Sequence, residues 1–116
     1  MAWLYLCAVL LLLPFAAHAA AHVLYVSPAG DDGGDGTPSA PFRTLERVRD
    51  EARKHLKEMR ADLTVSLAPG DYRIEKPLAL TEEDSGRNGF RVIYRSAGGP
   101  GKARLLGSRP LTGWHP

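Results

Sequence analysis

Three consecutive acidic residues, Glu82, Glu83 and Asp84, form the acidic cluster that lies outside the glycine-rich loop and the helix considered below. Two carboxylates can hydrolyse a glycosidic bond when they face each other across it, about 5 to 9.5 Å apart. Neighbours on a turn point in different directions, which disfavours such a pair. Of the two interpretations, a catalytic cluster and a solvated turn, we expect the turn, and we assign no catalytic residue in this chain.

A second group of carboxylates, Asp31, Asp32 and Asp35, lies among the four glycines of residues 30–36. Hard oxygen ligands on such a loop could bind calcium, but the loop lacks the ligand spacing and the final glutamate of an EF-hand. Aspartates beside glycines also bond their own backbone. We expect this structural role, with Asp32 as the backbone-capping residue, and whether the loop binds calcium stays open.

Histidine and cysteine offer little further chemistry. His22, His55 and His115 are far apart in sequence and lack the spacing of metal ligands, and the only cysteine is Cys7. The serines have no evident base and no Gly-x-Ser-x-Gly motif. We therefore predict no metal site and no cofactor.

Four aromatic residues could stack on sugar rings. In strands with alternating side chains, such residues are more typical of core or rim packing, which we expect here. They are Tyr72, Phe90, Tyr94 and Trp114.

The first 21 residues contain no Asp, Glu, Lys or Arg, and their apolar run, residues 3–15, is too short to span a bilayer. Ala17-His18-Ala19 supplies a small-x-small cleavage pattern, although a cationic N-terminal region is missing. We interpret residues 1–19 as a signal peptide cleaved after Ala19, rather than a short anchor or a buried helix. The protein would then be secreted or periplasmic, with no membrane contact after cleavage and no disulfide.

Charge and length limit the remaining classes. Fifteen Lys and Arg against thirteen Asp and Glu give the 116-residue chain a net charge of +2, with the signs mixed along it. This balance disfavours a nucleic-acid partner. About a hundred residues remain after cleavage, which is enough for one small domain.

The mature chain is predicted to contain one helix. Thr44 is its N-cap, and an apolar stripe follows at spacings of three and four. The stripe consists of Leu45, Val48, Ala52, Leu56 and Met59. The opposite face is charged, with predicted ion pairs Asp50–Lys54 and Arg47–Glu51.

Short strands are predicted around this helix, too close together for βαβ crossovers. Such runs suggest coils of a solenoid or a small antiparallel sheet. The predicted strands are residues 22–27, 63–67, 72–74, 78–80, 90–94 and 103–106, with a turn at residues 69–71.

Three ordered blocks of residues carry a family resemblance. They are Tyr25-Val26-Ser27-Pro28-x-Gly30-x-Asp32 with Pro41-Phe42-x-Thr44-Leu45, then Val65-x-Leu67-x-x-Gly70-x-Tyr72 with Asp84-Ser85-Gly86, and finally Gly107 with Gly113-Trp114. In this order they resemble the N-terminal portion of secreted right-handed parallel β-helix proteins of the pectate-lyase-like superfamily. Among these, the β-helix glycoside hydrolases are the most similar.

The resemblance implies a mainly β fold with one capping α-helix, namely the N-terminal cap and first coils of a right-handed parallel β-helix, a truncated solenoid. Residues 20–61 would hold the N-terminal strand, the Gly/Asp loop and the capping helix. Residues 62–116 would form the first coils, incomplete at the C-terminus.

The resemblance also implies an exported polysaccharide-acting protein, a glycoside hydrolase whose catalytic carboxylates lie beyond Pro116. Lyase chemistry is an alternative, and the missing coils would bind a polysaccharide or oligosaccharide. The competing interpretation is a non-catalytic exported glycan-binding or structural β-domain. The sugar, the linkage, the oligomeric state and whether the chain is a natural product or a fragment stay open.

Overall fold

The computed structural model describes residues 21–115 of the chain. The predicted signal peptide, its cleavage point after Ala19 and Cys7 lie outside the described residues. Within residues 21–115, no helix is long and apolar enough to cross a membrane.

Strands dominate the described part of the chain, as predicted, and one α-helix accompanies them. The prediction of a mainly β chain with one α-helix is therefore confirmed. In chain order the elements are β1 (His22–Val26), α1 (Leu45–Leu56), β2 (Leu63–Leu67), β3 (Gly70–Arg73), a 3-10 helix (Glu82–Asp84), β4 (Val92–Ser96) and β5 (Ala103–Leu106).

The strands form two sheets, and the pairings between these strands are all parallel. One sheet has the order β1-β2-β4, and the other pairs β3 with β5. Leu63 of β2 lies opposite Val92 of β4, and Gly70 of β3 lies opposite Ala103 of β5. The segment β4–β5 therefore pairs with the segment β2–β3, with β4 beside β2 and β5 beside β3. The alternative of a small antiparallel sheet is wrong.

Helix α1 forms and packs as its sequence pattern predicts. The Thr44 hydroxyl accepts a hydrogen bond from the Arg47 N–H at 3.2 Å, which satisfies one of the free donors at the helix start. The apolar stripe packs against β1 and β2, and each buried aliphatic side chain stabilises the fold by about 1.5 to 3 kcal/mol. The buried helical residues are Leu45, Val48, Ala52 and Leu56.

The helix ends one turn earlier than the stripe suggested. Its last residue is Leu56, whereas Met59 lies in the turn that follows and is nevertheless only 5% exposed. Apolar periodicity indicates which side chains are buried. It does not fix where the helix ends, because a residue after the last helical turn can still pack against the core.

One of the two predicted ion pairs on the charged face is present. Arg47 lies 2.9 Å from Glu51, but the predicted Asp50–Lys54 pair is wrong. Lys54 instead lies 3.0 Å from Glu51, and Asp50 lies 2.9 Å from Arg49. Glu51 forms ion pairs with both Arg47 and Lys54, because it lies about one helical turn from each of them on the same face.

Three predicted strands have different bounds in the structure, since β1 ends at Val26 and both ends of β3 and β4 differ from the prediction. Strand β3 begins at Gly70, inside the predicted turn, because the Gly70 N–H already donates to the Lys102 carbonyl at 2.9 Å. Position 70 needs a glycine, since φ is +136° and an added Cβ would lie 2.8 Å from Pro28 Cγ. Strand β4 begins at Val92 because the Phe90 N–H donates to the Arg87 carbonyl at 3.0 Å and closes a turn there.

The strand predicted for residues 78–80 does not form. Pro77 has no N–H to donate to a ladder, and the 3-10 helix begins two residues after Leu80. Leu78 packs against the core, but Leu80 is 56% exposed. This segment is therefore an irregular connection between β3 and the 3-10 helix.

Candidate functional site

The acidic cluster Glu82–Asp84 forms a 3-10 helix that is fastened to α1. Both oxygens of Asp84 accept hydrogen bonds from the Arg53 guanidinium at 2.8 Å, and Asp84 Oδ2 also accepts from the Thr81 N–H at 2.8 Å. The Asp84 side chain is only 8% exposed, so the prediction of a solvated turn is wrong for this residue. Glu82 and Glu83 are exposed, as predicted.

The Arg53 hydrogen bonds hold the pKa of Asp84 below its usual value, although burial opposes the change. The carboxylate is therefore charged at neutral pH and has its partners within the protein. This arrangement suits a structural tie better than a general acid, which needs a raised pKa.

The Gly/Asp loop uses its carboxylates on its own backbone, and Asp32 has the capping role that the sequence predicted. Asp32 Oδ1 accepts from the N–H groups of Arg43 and Thr44, each at 2.9 Å, and Oδ2 accepts from the Thr44 hydroxyl at 2.8 Å. Asp31 accepts from the Gly33 N–H at 2.8 Å, in an Asx-turn.

Burial alone would raise the pKa of Asp32, but the hydrogen bonds from Thr44 and Arg43 outweigh it and lower that pKa. In the described range 21–115, no group of three or more His, Cys, Asp or Glu side chains is arranged to hold a metal ion. Asp32 thus serves to lock the loop onto the start of α1.

Of the three histidines that are far apart in sequence, two have rings in contact. The rings of His22 on β1 and His55 on α1 have centroids 4.1 Å apart and are tilted by 33°. His55 Nε2 lies 3.7 Å from Glu51 Oε1. His115 is exposed near the C-terminus. The sequence does not indicate the His22–His55 contact, because a contact between a strand and a distant helix depends on the tertiary fold.

The four candidate sugar-stacking aromatics have different environments. Tyr72 is buried, and its hydroxyl donates towards the Ala68 carbonyl at 2.7 Å and the Val26 carbonyl at 3.1 Å. Phe90 packs against the core and Tyr94 lies at the rim. The predicted packing is wrong for Trp114, which is 80% exposed.

A groove runs beside β3, and we call it the β3 groove. Its first cavity, of about 590 Å³, lies between the loop–helix junction at residues 43–46 and residues 71–76. Its second cavity, of about 280 Å³, lies between residues 73–75 and residues 107–110. Arg73, Ile74 and Glu75 line both cavities, so the two adjoin. Sequence analysis missed this groove, because its walls come from segments that are distant in the chain.

Polar and apolar atoms line the β3 groove in about equal measure, and several of its side chains are charged. Asp71 is engaged by the Arg104 guanidinium at 2.7 and 2.9 Å, while Arg43, Arg73 and Glu75 have no ion-pair partner within residues 21–115. Guanidinium and carboxylate groups at the edge of a cavity donate to and accept from hydroxyl groups. The charged side chains of the groove could donate to or accept from the hydroxyl groups of a ligand.

No protein-family model and no curated protein matches this chain. Among solved structures, the chain resembles a glycoside hydrolase with 28% sequence identity and a TM-score of 0.74. The similarity covers 83% of this chain but 16% of the hydrolase chain. The chain thus shares the fold of a small part of that structure.

Two further solved structures resemble shorter parts of the chain. A complex of XylC with xylose has 21% identity and a TM-score of 0.42, and covers 72% of this chain and 11% of its own. A rhamnogalacturonan lyase has 23% identity and a TM-score of 0.45, and covers 72% of this chain and 24% of its own.

Proposed function

We propose that this chain is the N-terminal cap region of an exported polysaccharide-acting protein built as a right-handed parallel β-helix. The observation that carries the proposal is that consecutive strands pair in parallel with the next two strands of the chain. β2 pairs with β4 in one sheet, and β3 pairs with β5 in the other. Successive coils of a solenoid stack in this way, each burying its face against its neighbour. The similarity to part of a glycoside hydrolase supports the carbohydrate-acting part of the proposal.

The position of α1 supports a capping role. The helix packs against β1 and β2, and β1 is the edge strand of its sheet. Its outer face carries the charged residues Arg47, Glu51 and Lys54. A solenoid needs such a cover, because an open end exposes apolar side chains and unpaired backbone groups.

For the whole protein we propose glycoside hydrolysis, with catalytic carboxylates beyond Pro116 and with lyase chemistry as the alternative. Asp32, Asp71 and Asp84 are engaged by donors within the protein, which argues against their use on a substrate. The chain covers 16% of the hydrolase that it resembles, which is compatible with a catalytic region outside the matched segment.

A second candidate function is non-catalytic glycan binding, and the β3 groove favours it. The groove offers donors and acceptors that a sugar could use without bond cleavage. The two candidates differ in whether a bound polysaccharide is consumed.

The test compares the chain with a version extended by its native downstream coding sequence. We expect reducing sugar to be released from pectic or xylan substrates by the extended protein and not by the chain alone. Binding by both proteins without release by either would favour the second candidate. Turnover by the chain alone that disappeared in Glu83→Gln would overturn our placement of the catalytic groups.

A matched pair of variants tests whether the β3 groove contacts the glycan. Arg73→Ala should weaken oligosaccharide binding severalfold, because Arg73 lines both cavities. Arg60→Ala removes an exposed arginine that does not line the groove, and it should leave binding unchanged. Equal effects of the two variants would count against the groove.

Export is the remaining part of the proposal. We propose that residues 1–19 are removed by a signal peptidase and that the mature protein is secreted or periplasmic. N-terminal sequencing of exported material should then begin at Ala20 or within two residues of it. Exported protein that still began at Met1 would refute both the signal peptide and the cleavage point.

A further inference from the structure

Residues 87–90 form a tight turn immediately before β4. The Phe90 N–H donates to the Arg87 carbonyl at 3.0 Å, and the two central residues both have positive φ, +57° at Asn88 and +81° at Gly89. These angles are those of a type I′ turn, in which Asn-Gly is the favoured pair.

The same pair has a chemical reactivity that depends on the absence of a side chain at Gly89. The backbone nitrogen of Gly89 can attack Cγ of Asn88, because no Cβ shields it. Apart from chain neighbours, no atom lies within 4 Å of the position that a Gly89 Cβ would occupy. Asn88 itself is exposed, so water and hydroxide reach the site.

We propose that Asn88 is a site of spontaneous covalent modification, in which the Gly89 nitrogen displaces the side-chain amide and leaves an aspartyl or isoaspartyl residue. The new bond joins Gly89 N to Asn88 Cγ, the Cγ–Nδ2 bond breaks, and ammonia leaves. Water then opens the five-membered succinimide at either carbonyl. The net reaction consumes one water and releases one ammonia, with no oxidant or reductant.

The modification would alter a contact between this turn and the end of the helical segment. Asn88 Nδ2 donates to the Met59 carbonyl at 3.3 Å, and the Arg87 N–H points to Met59 Sδ at 3.2 Å. A carboxylate at position 88 cannot donate to that carbonyl and places negative charge against it. An isoaspartyl linkage also lengthens the main chain by one carbon, three residues before Arg91, whose carbonyl accepts from Leu63.

The composition of the chain makes the test specific to one residue. Asn88 is the only asparagine, and the chain contains no glutamine. Replacement of NH₂ by OH adds about one dalton, so the mass of the intact protein reports on this position alone. The purified folded protein is incubated at 37 °C at pH 6 and at pH 8, with the variant Asn88→Gly as a matched control that keeps the turn.

We expect the native sequence to gain mass and Asn88→Gly to gain none. The gain should be severalfold faster at pH 8 than at pH 6, because the attacking nitrogen must lose its proton. An unchanged mass in the folded protein, under conditions in which the urea-unfolded chain gains mass, would show that the turn protects Asn88 and would overturn the proposal. An equal gain in Asn88→Gly would also overturn it.

The structural consequence has a separate measurement. Asn88→Asp reproduces the aspartyl product, and we expect its unfolded-to-folded ratio to rise about fivefold, the effect of losing one hydrogen bond. Asn88→Gly also lacks the donor but adds no charge, so it should be affected less. A ratio for Asn88→Asp equal to that of the native chain would refute the proposed disturbance of the Met59 contact.

Discussion

The guanidinium of Arg53 on α1 holds both carboxylate oxygens of Asp84 at 2.8 Å, although the two residues are 31 positions apart in sequence. Asp84 also accepts from the Thr81 N–H, so one side chain closes the 3-10 helix and ties it to α1. The two-point geometry fixes the orientation of both groups, which a single contact would not.

Asp84→Asn should lower the melting temperature by several degrees, because it replaces a carboxylate with an amide that cannot accept both Arg53 bonds. The pKa of Asp84 is lowered from its ordinary value of 3.8, chiefly by Arg53. The contribution of the Arg53–Asp84 contact to folding stability is therefore present above pH 3.8. It is lost as the pH falls through the lower pKa that Asp84 has in the folded protein. Thermal melts between pH 2 and pH 7, made on the protein extended by its native downstream sequence, measure it.

The matched control is Glu83→Gln, since Glu83 is exposed and lies 3.8 Å from the same arginine. It should melt close to the native chain. Equal losses in the two variants would mean that general charge, rather than the Asp84 geometry, stabilises this region.

Asp32→Ala should destabilise the fold by about 0.5 to 2 kcal/mol, the range of N-cap substitutions, because the N–H groups of Arg43 and Thr44 lose their acceptor. Urea unfolding of the protein extended by its native downstream sequence would measure the loss. Asp31→Ala removes one exposed loop hydrogen bond and should cost less. A larger loss for Asp31 than for Asp32 would contradict the assigned roles.

The His22–His55 contact predicts lower stability in mild acid. Burial and the neighbouring charges of His22 and Lys54 lower the pKa of His55 below 6.5, while Glu51 opposes them. The unfolded chain therefore takes up this proton at a higher pH than the folded chain does. Stability should fall as the pH drops through 6.5 to the folded pKa of His55, and this group adds no further loss below that pH.

An NMR titration of the His55 ring checks this coupling. His22→Gln removes the neighbouring charge and should raise the pKa of His55, whereas His115→Gln should leave it unchanged. An unchanged His55 titration in His22→Gln would show that the two rings are not coupled.

Local features of this fold could be predicted from the sequence. Thr44 and the stripe beginning at Leu45 specify the helix start and its buried face, because both depend on neighbours within a few positions. The role of Asp32 could also be anticipated, since short polar side chains beside glycines bond to nearby backbone. The helix end at Leu56 could not be predicted, because Met59 continues the buried pattern.

Features that depend on distant segments could not be predicted. The start of β3 at Gly70 depends on a hydrogen bond to Lys102, and the burial of Asp84 depends on Arg53. The His22–His55 contact depends on how α1 packs against β1, and the walls of the β3 groove come from segments about thirty residues apart, which no local pattern encodes.

The central claim is that β2–β3 and β4–β5 are the first coils of a solenoid, and its most direct test is the stability of residues 20–116 with and without native downstream sequence. β4 and β5 are the edge strands of their sheets, and Leu105 near that end is 57% exposed. Three or more repeats are generally needed for a stable solenoid.

Thermal melting combined with sedimentation velocity should therefore give a broad transition and self-association for residues 20–116. The extended protein should give a cooperative melt and a single species. A sharp, monomeric melt of residues 20–116 that was unaffected by extension would contradict the solenoid and would favour a compact, self-contained β-domain.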